Sequence, residues 1–246
     1  MNINESEMEI YSRQLIMKDF VDKKFHKLQN KKISVVGLGG IGCPLTQYLI
    51  SCGIKNLTLF DNDIIKKHDL NRQTLYSINE LGKKKIIIAK KKLLGINPDA
   101  KINIYDEKIT NKNLKLLVNS SIIIDASDNW KTMRLINKYA LKNNIPLLSA
   151  SAVGFDIQII LFKNKNNKHL CLECVFPYKK EPNLSRCDTV GILGTTAGLA
   201  GVISAQKTIN FFMNINNNNN FLTLMDCKTL SINHIKINKN ANCKLI

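Results

Sequence analysis

The stretch VVGLGGIGCP, residues 35–44, constrains this chain more than any other. A short apolar run enters a turn with glycine at 37, 39, 40 and 42, and an apolar helical pattern leaves it. In a strand–turn–helix unit, Gly37 and Gly39 let the backbone bend and approach a ligand, and Gly42 lets the helix pack on the strand. The amide groups at the helix start then face an anion. NAD, FAD, a nucleoside triphosphate or simple helix packing would each account for the turn.

The next strand ends at Asp61, nineteen residues after Gly42, where an acid would hold ribose hydroxyls. On these two features alone an NAD-dependent oxidoreductase is the favoured reading. The segment that follows, DNDIIKKHDLNRQTLYSINELGKKK, changes the balance. It places Asp63, Arg72, Gln73 and Lys85 beyond the second strand, a polar and basic insertion that a dehydrogenase does not evidently need. A triphosphate of charge about −4 calls for fixed cations, and the planar fork of arginine suits phosphate. Arg13 and Arg72, both in Arg-Gln pairs, are two of only four arginines among 36 basic residues. In a chain that otherwise uses lysine, a retained arginine points to a geometric requirement. Asp125-Ala-Ser-Asp128-Asn129 ends another strand, and one of its acids could hold Mg2+ bridging phosphates. Asp128 could equally cap the helix that starts near Asn129.

Strand and helix patterns alternate from residue 33. Strands are expected at 33–36, 56–61, 101–105, 121–125 and 146–150, with helices at 42–52, 83–94 and 129–143. That alternation predicts an α/β fold: a Rossmann-like sheet, parallel in its N-terminal half, with helices on both faces. After Gly154 the expected elements are a strand at 155–162, a long apolar helix at 190–212 and strands at 221–225 and 230–237, which should add antiparallel strands at the C-terminal end. No linker divides the chain. One domain is expected: residues 1–30 as a helical arm, 31–152 as the nucleotide-binding half, and 153–246 as the second half.

The net charge of +17 follows from abundant lysine, which with asparagine and isoleucine fits drift toward A/T-rich codons. No arginine-rich or aromatic-interleaved stripe marks a nucleic-acid groove. The uncharged run from Thr189 to Ala205 is rich in glycine and threonine and shorter than the roughly 20 apolar residues of a membrane span. With seven cysteines and no secretory pattern at the N-terminus, a cytoplasmic chain with reduced thiols is expected.

Taken together, YSRQ, GLGGIG, DND, LNRQ, GKKK, INP, DASDN and SASAVGF occur in the order found in the ThiF/MoeB/HesA family, and the chain resembles that family from about residue 8 to 246. These are bacterial relatives of the ubiquitin-activating enzymes. SASAVGFDIQIILF and EPNLSRCDTVGILG are closer to the ThiF pattern than to the MoeB pattern. The resemblance implies an adenylyltransferase that uses Mg-ATP to activate the C-terminal Gly-Gly carboxylate of a ubiquitin-fold sulfur carrier protein and releases pyrophosphate. For ThiF the carrier is ThiS, in thiamine thiazole synthesis; for MoeB it is the small subunit of molybdopterin synthase. The resemblance implies nucleotide contacts from Gly37, Gly39, Gly40, Gly42, Asp61, Asp63, Asp69, Gln73 and Asn129. It gives Arg72 and Lys85 to the phosphates and Asp128 to Mg2+. Arg13 would reach the neighbouring subunit's site in a homodimer. Cys187 stands where the ThiF cysteine takes part in sulfur transfer, supplied by a cysteine desulfurase or a sulfurtransferase.

The sequence departs from the family pattern at two places. The usual Ser-Asn-Leu-x-Arg-Gln is His68-Asp69-Leu70-Asn71-Arg72-Gln73 here, which puts an acid beside the expected triphosphate. That acid would weaken ATP binding or become a second metal contact. The family's four-cysteine zinc site is represented by Cys171, Cys174 and Cys243, with Ile246 in the fourth ligand's place. Cys227 or His234 could substitute only if the fold brings them close. A non-catalytic nucleotide-binding scaffold is the alternative that these two departures support.

Overall fold

The computed structural model describes residues 5–18, 20, 22–164, 170–177, 190–215, 220–240 and 243. Its strands are β1 (Lys32–Val36), β2 (Asn56–Phe60), β3 (Lys101–Tyr105), β4 (Ile122–Asp125), β5 (Leu147–Val153), β6 (Asp156–Phe162), β7 (Phe221–Asp226) and β8 (Ser231–Lys236). They form one sheet in the order β3-β2-β1-β4-β5-β6-β7-β8. The first five in this order are parallel, and β6, β7 and β8 are added antiparallel. This is the architecture expected from the sequence.

β4 is buried on both faces, so Ile122, Ile123 and Ile124 read as an unbroken apolar run rather than an alternating one. Ile33 and Val35 of β1 and Ile122 and Ile124 of β4 enter one core. Val36, Ile123 and Phe60 enter the other. The first core is closed by α3 (Gly42–Ser51), α4 (Lys85–Ile96) and the long α7 (Gly194–Met213), with α1 (Glu5–Leu15) and α2 (Asp22–Gln29) contributing Tyr11, Phe25 and Leu28. The second is closed by α5 (Trp130–Lys142) and the short α6 (Leu172–Val175).

Two helices start later than their apolar pattern predicts, and backbone pairing is the reason in each case. Lys83 and Lys84 are used by the loop after β2, through Ile65 N–H to Lys83 O at 2.9 Å and a bridge between Ile64 and Lys84, so α4 begins at Lys85. Residues 191–193 are tied to Gly154, and Gly191 has φ +81°, so α7 begins at Gly194 rather than Val190. α7 is apolar because it is packed on α3, β5 and β6. No described helix is long and apolar enough to cross a membrane.

Candidate nucleotide site

The chain leaves β1 toward β2 on one side and β4 toward β5 on the other, which opens a crevice at the carboxyl ends of β1 and β4. The glycine turn fills this switch point. Gly37 has φ +95°, and a Cβ there would lie 2.6 Å from the Ala126 carbonyl oxygen of the strand-end loop after β4. A Cβ at Gly42 would collide with the Gly37 carbonyl. Both positions therefore need glycine for the protein's own packing. Gly40 faces Ala197 of α7 and Arg72. At Gly39 a methyl group would meet only the Gln73 amide, at 3.9 Å, so the protein's packing does not demand glycine there. Ile41 precedes α3 without a side-chain cap, which leaves the helix start to other acceptors.

The Leu38 peptide is held from both sides. Its N–H donates to Asp61 Oδ2 at 2.7 Å, and Asp61 Oδ1 accepts from Asp63 N–H at 2.8 Å. Its carbonyl accepts from Tyr76 Oη at 2.9 Å and Cys43 Sγ at 3.3 Å. Burial raises the Asp61 carboxyl despite the two amides and Lys85, and burial pushes the Cys43 thiol up to about 12 and raises the Tyr76 phenol. Tyr76 and Cys43 thus remain neutral donors to one carbonyl. Sequence reasoning missed Tyr76; its only signal was an aromatic residue at the end of the LNRQTLY run.

A single 3-10 turn, Lys67–Asp69, brings the phosphate candidates together. Asp69 is only 3% exposed. Its Oδ1 accepts from Gln73 Nε2 at 2.9 Å and Arg72 Nη2 at 3.3 Å, and its Oδ2 accepts from Lys66 N–H at 3.0 Å. Lys85, buried at the start of α4, has Nζ 3.5 Å from Asp69 Oδ2 and 3.4 Å from Asp63 Oδ2. Arg72 is also anchored on the His68 carbonyl at 2.5 Å and on Asn71 Oδ1 at 3.1 Å. The acid that departs from the family pattern is thus surrounded by protein donors.

At the end of β4, Asp125 Oδ1 accepts from the Ser127 amide at 3.1 Å and the Ser127 hydroxyl at 2.6 Å, while its buried Oδ2 has no partner among the described residues. Burial pushes this carboxyl up to about 6, the Ser127 donors oppose the shift, and the charge of Asp128 adds to it. Asn129 caps α5, its Oδ1 accepting from Thr132 N–H at 2.7 Å, so the cap is Asn129 rather than Asp128. Asp128 is exposed beside the crevice. Arg13 lies on the exposed side of α1 and makes no hydrogen bond or ion pair among the described residues. Cys187 and Ile246 lie outside the described residues.

On the second-core side of the sheet, Cys171, Cys174 and Cys243 converge, with Sγ–Sγ separations of 3.9 Å for Cys171–Cys174 and 3.5 Å for Cys171–Cys243. Tetrahedral zinc with Zn–S near 2.3 Å has S–S edges of about 3.8 Å, so three thiolates here fit a zinc ion. Cys227 packs against the opposite core and His234 Nδ1 contacts Thr223 Oγ1 at 3.1 Å, and neither joins the cluster.

A doubly wound sheet with a glycine turn at its switch point, an acid locking that turn and two cations beside it define a protein of the Rossmann-like α/β class. The ThiF family model matches residues 11–245, and the chain belongs to the ThiF family. It is 32% identical over 245 residues to the Adenylyltransferase and sulfurtransferase MOCS3 of Drosophila virilis, covering 98% of this chain and 54% of that protein. It is 28% identical over 242 residues to the Sulfur carrier protein ThiS adenylyltransferase of Escherichia coli, covering 98% of this chain and 96% of that protein. The chain therefore spans about half of the MOCS3 relative and nearly all of the bacterial one. Among solved structures, E. coli MccB with MccA-N7isoASN superposes with a TM-score of 0.84 at 22% identity, over 99% of this chain and 75% of that one, a likeness of fold.

Proposed function

We propose that this chain adenylates the C-terminal Gly-Gly carboxylate of a ubiquitin-fold sulfur carrier protein, using Mg-ATP and releasing pyrophosphate. The observation that carries this reading is the clustering of Arg72 and Lys85 beside a glycine turn locked by Asp61. A dinucleotide turn alone would not need these cations. Asp61 would hold the ribose, the α3 start and the turn amides would cradle phosphate, and Arg72 and Lys85 would stabilise charge on the phosphate oxygens. Gly39 would let the ligand approach the backbone closely. Mg2+ held by Asp128 would neutralise phosphate charge. The carrier carboxylate attacks the α-phosphate, and the bond to pyrophosphate breaks. The protein's part is positional and electrostatic, and no protein nucleophile is needed for this step.

Arg13, exposed on α1, would complete the site of a second copy in a homodimer. Cys187 would carry sulfur to the activated carrier, with a cysteine desulfurase or sulfurtransferase as donor. Three thiolates would hold zinc as a structural brace. Residues 31–152 would form the nucleotide-binding half and 153–246 the carrier-binding half of one domain. A ThiS-like carrier in thiamine thiazole synthesis is the first reading. The 32% identity to MOCS3 favours, as the second, a MoeB-type carrier, the small subunit of molybdopterin synthase.

The test is ATP–pyrophosphate exchange with purified protein and each of the two carriers. Exchange that requires a carrier ending in Gly-Gly, and that falls at least a hundredfold in Arg72→Ala, is the expected result. Normal ATP binding without exchange for any carrier would leave a non-catalytic scaffold. NADH bound far more tightly than ATP would point to an oxidoreductase.

A further inference from the structure

Around the crevice stand five carboxylates, Asp61, Asp63, Asp69, Asp125 and Asp128, against two buried or half-buried cations, Arg72 and Lys85. Asp69 differs from the other four. Asp61 and Asp125 hold loop amides, and Asp63 and Asp128 are more open to water. Asp69 alone touches both cations, and its side chain is 4% exposed. Its two oxygens face five groups: Gln73 Nε2, Arg72 Nη2 and, at 3.7 Å, the exposed His68 Nε2 on one, and Lys66 N–H and Lys85 Nζ on the other. Each Asp69 oxygen accepts a hydrogen bond from the protein and has a cation within 3.5 Å. Of the two consequences foreseen for an acid here, the geometry favours the electrostatic one.

We propose that Asp69 is a resident anion of the phosphate site, holding Arg72, Gln73 and Lys85 in place before nucleotide arrives and, by neutralising part of their charge, setting how tightly a triphosphate binds. This rests on the ATP reading given above. A buried negative charge a few ångströms from the phosphate-binding cations repels the phosphates with little screening by salt. The cost is offset by order, because Arg72 and Lys85 need not be collected from solvent-exposed rotamers when the ligand binds. A site built this way releases nucleotide readily and leans on divalent cation.

The residue can be neutralised with little change of shape. In Asp69→Asn the new amide N–H group needs an acceptor, and Gln73 Oε1, buried and without a partner among the described residues, becomes available if the Gln73 amide turns over. Arg72 keeps the His68 carbonyl and Asn71, and Lys85 keeps Asp63. Charge is therefore what the substitution removes.

The experiment is calorimetric titration of wild type and Asp69→Asn with ATP, ADP and adenosine, at several Mg2+ concentrations, alongside the exchange assay. Asp69→Asn should bind ATP about tenfold more tightly and ADP about threefold more tightly, with adenosine unchanged within about twofold. Its KM for ATP should fall, and half-saturation should need less Mg2+. A purely structural role would weaken all three ligands together. ATP affinity that is unchanged or weaker, with adenosine binding preserved, overturns the proposal. Should Asp69→Asn lose its cooperative melt, Asp69→Ser, which keeps an acceptor for Lys66 N–H, is judged by the same criteria. Tightening without exchange for any carrier would sink the adenylation reading and leave this one standing. ATP binding to neither protein would sink both.

Discussion

The side-chain amide of Asn97 donates to the phenolic oxygen of Tyr11 across 3.2 Å, joining the loop after α4 to the helix that carries Arg13. Both residues are buried, and Tyr11 packs on Phe25 with ring centroids 4.8 Å apart. Two short motifs that are far apart in sequence, INP and YSRQ, are thus halves of one contact. Lys55 Nζ and Gln29 Nε2 reinforce it, both meeting Glu7 Oε1 of α1, at 2.6 and 2.7 Å.

Removing the acceptor strands the Asn97 amide in the core. Tyr11→Phe should cost about 1–2 kcal/mol, read as a fall of a few degrees in Tm. If α1 presents Arg13 to a second copy, exchange activity should drop further than ATP affinity. Differential scanning calorimetry and the exchange assay measure the two effects separately.

Tyr76 tests whether the glycine turn is held from below. In Tyr76→Phe the Leu38 carbonyl retains only the weak Cys43 donor. A loss of about 1 kcal/mol of stability is expected, with ATP bound several-fold more weakly. Cys43→Ser, which substitutes a stronger donor at the same place, should leave ATP affinity within about twofold. Isothermal titration decides both.

The parallel and antiparallel halves of the sheet and the positions of the central elements were legible because apolar runs bounded by glycine and polar turns carry their own length and period. β1, β2 and β4 end at Val36, Phe60 and Asp125, within a residue of the expected places, where each strand meets the crevice. What the sequence did not carry was side-chain destination. Tyr76 looks like any aromatic at a loop end, and only the path of the 3-10 turns at Lys67–Asp69 and Ile78–Glu80 carries it beneath Leu38. Asp69 was visible as an odd acid, but its meaning depended on the donors that converge on it. The starts of α4 and α7 were misplaced because backbone pairing to distant residues overrides an apolar pattern.

Asp125 predicts a pH dependence with a defined sign. Its carboxyl is raised from 3.8 to about 6 by burial, so the native state binds more protons than the unfolded chain between those values. Stability from this group is fully present below about pH 4 and lost as pH rises through about 6. In Asp125→Asn the charge penalty is absent, and the amide oxygen can still accept from Ser127. The variant should therefore gain on wild type by up to about 3 kcal/mol between pH 4 and pH 7, a shift of about two units at 1.36 kcal/mol each. Urea denaturation of both proteins across that range gives the difference curve. A flat difference would show that Asp125 is ionised at no cost.

The three-thiol cluster is tied to the crevice through α5. Trp130, the first residue of α5, meets Phe176 edge-on at 5.9 Å, Arg134 Nη2 pairs with Glu173 Oε1 at 2.5 Å, and Asn137 Oδ1 accepts from Leu172 N–H at 3.0 Å. The helix they brace starts directly after Asp128 and Asn129. If zinc occupies the cluster, purified protein should carry about one zinc per chain, and Cys171→Ala should carry much less. Stripping the metal should lower Tm by several degrees, because metal binding to such a site is folding free energy. ATP affinity should change by less than about threefold, because Asn129 caps α5 through its own bond to Thr132 and does not depend on the metal. Metal analysis, calorimetry and ATP titration of the stripped protein measure these three quantities. An unchanged Tm after complete removal would mean that the thiols converge for packing alone.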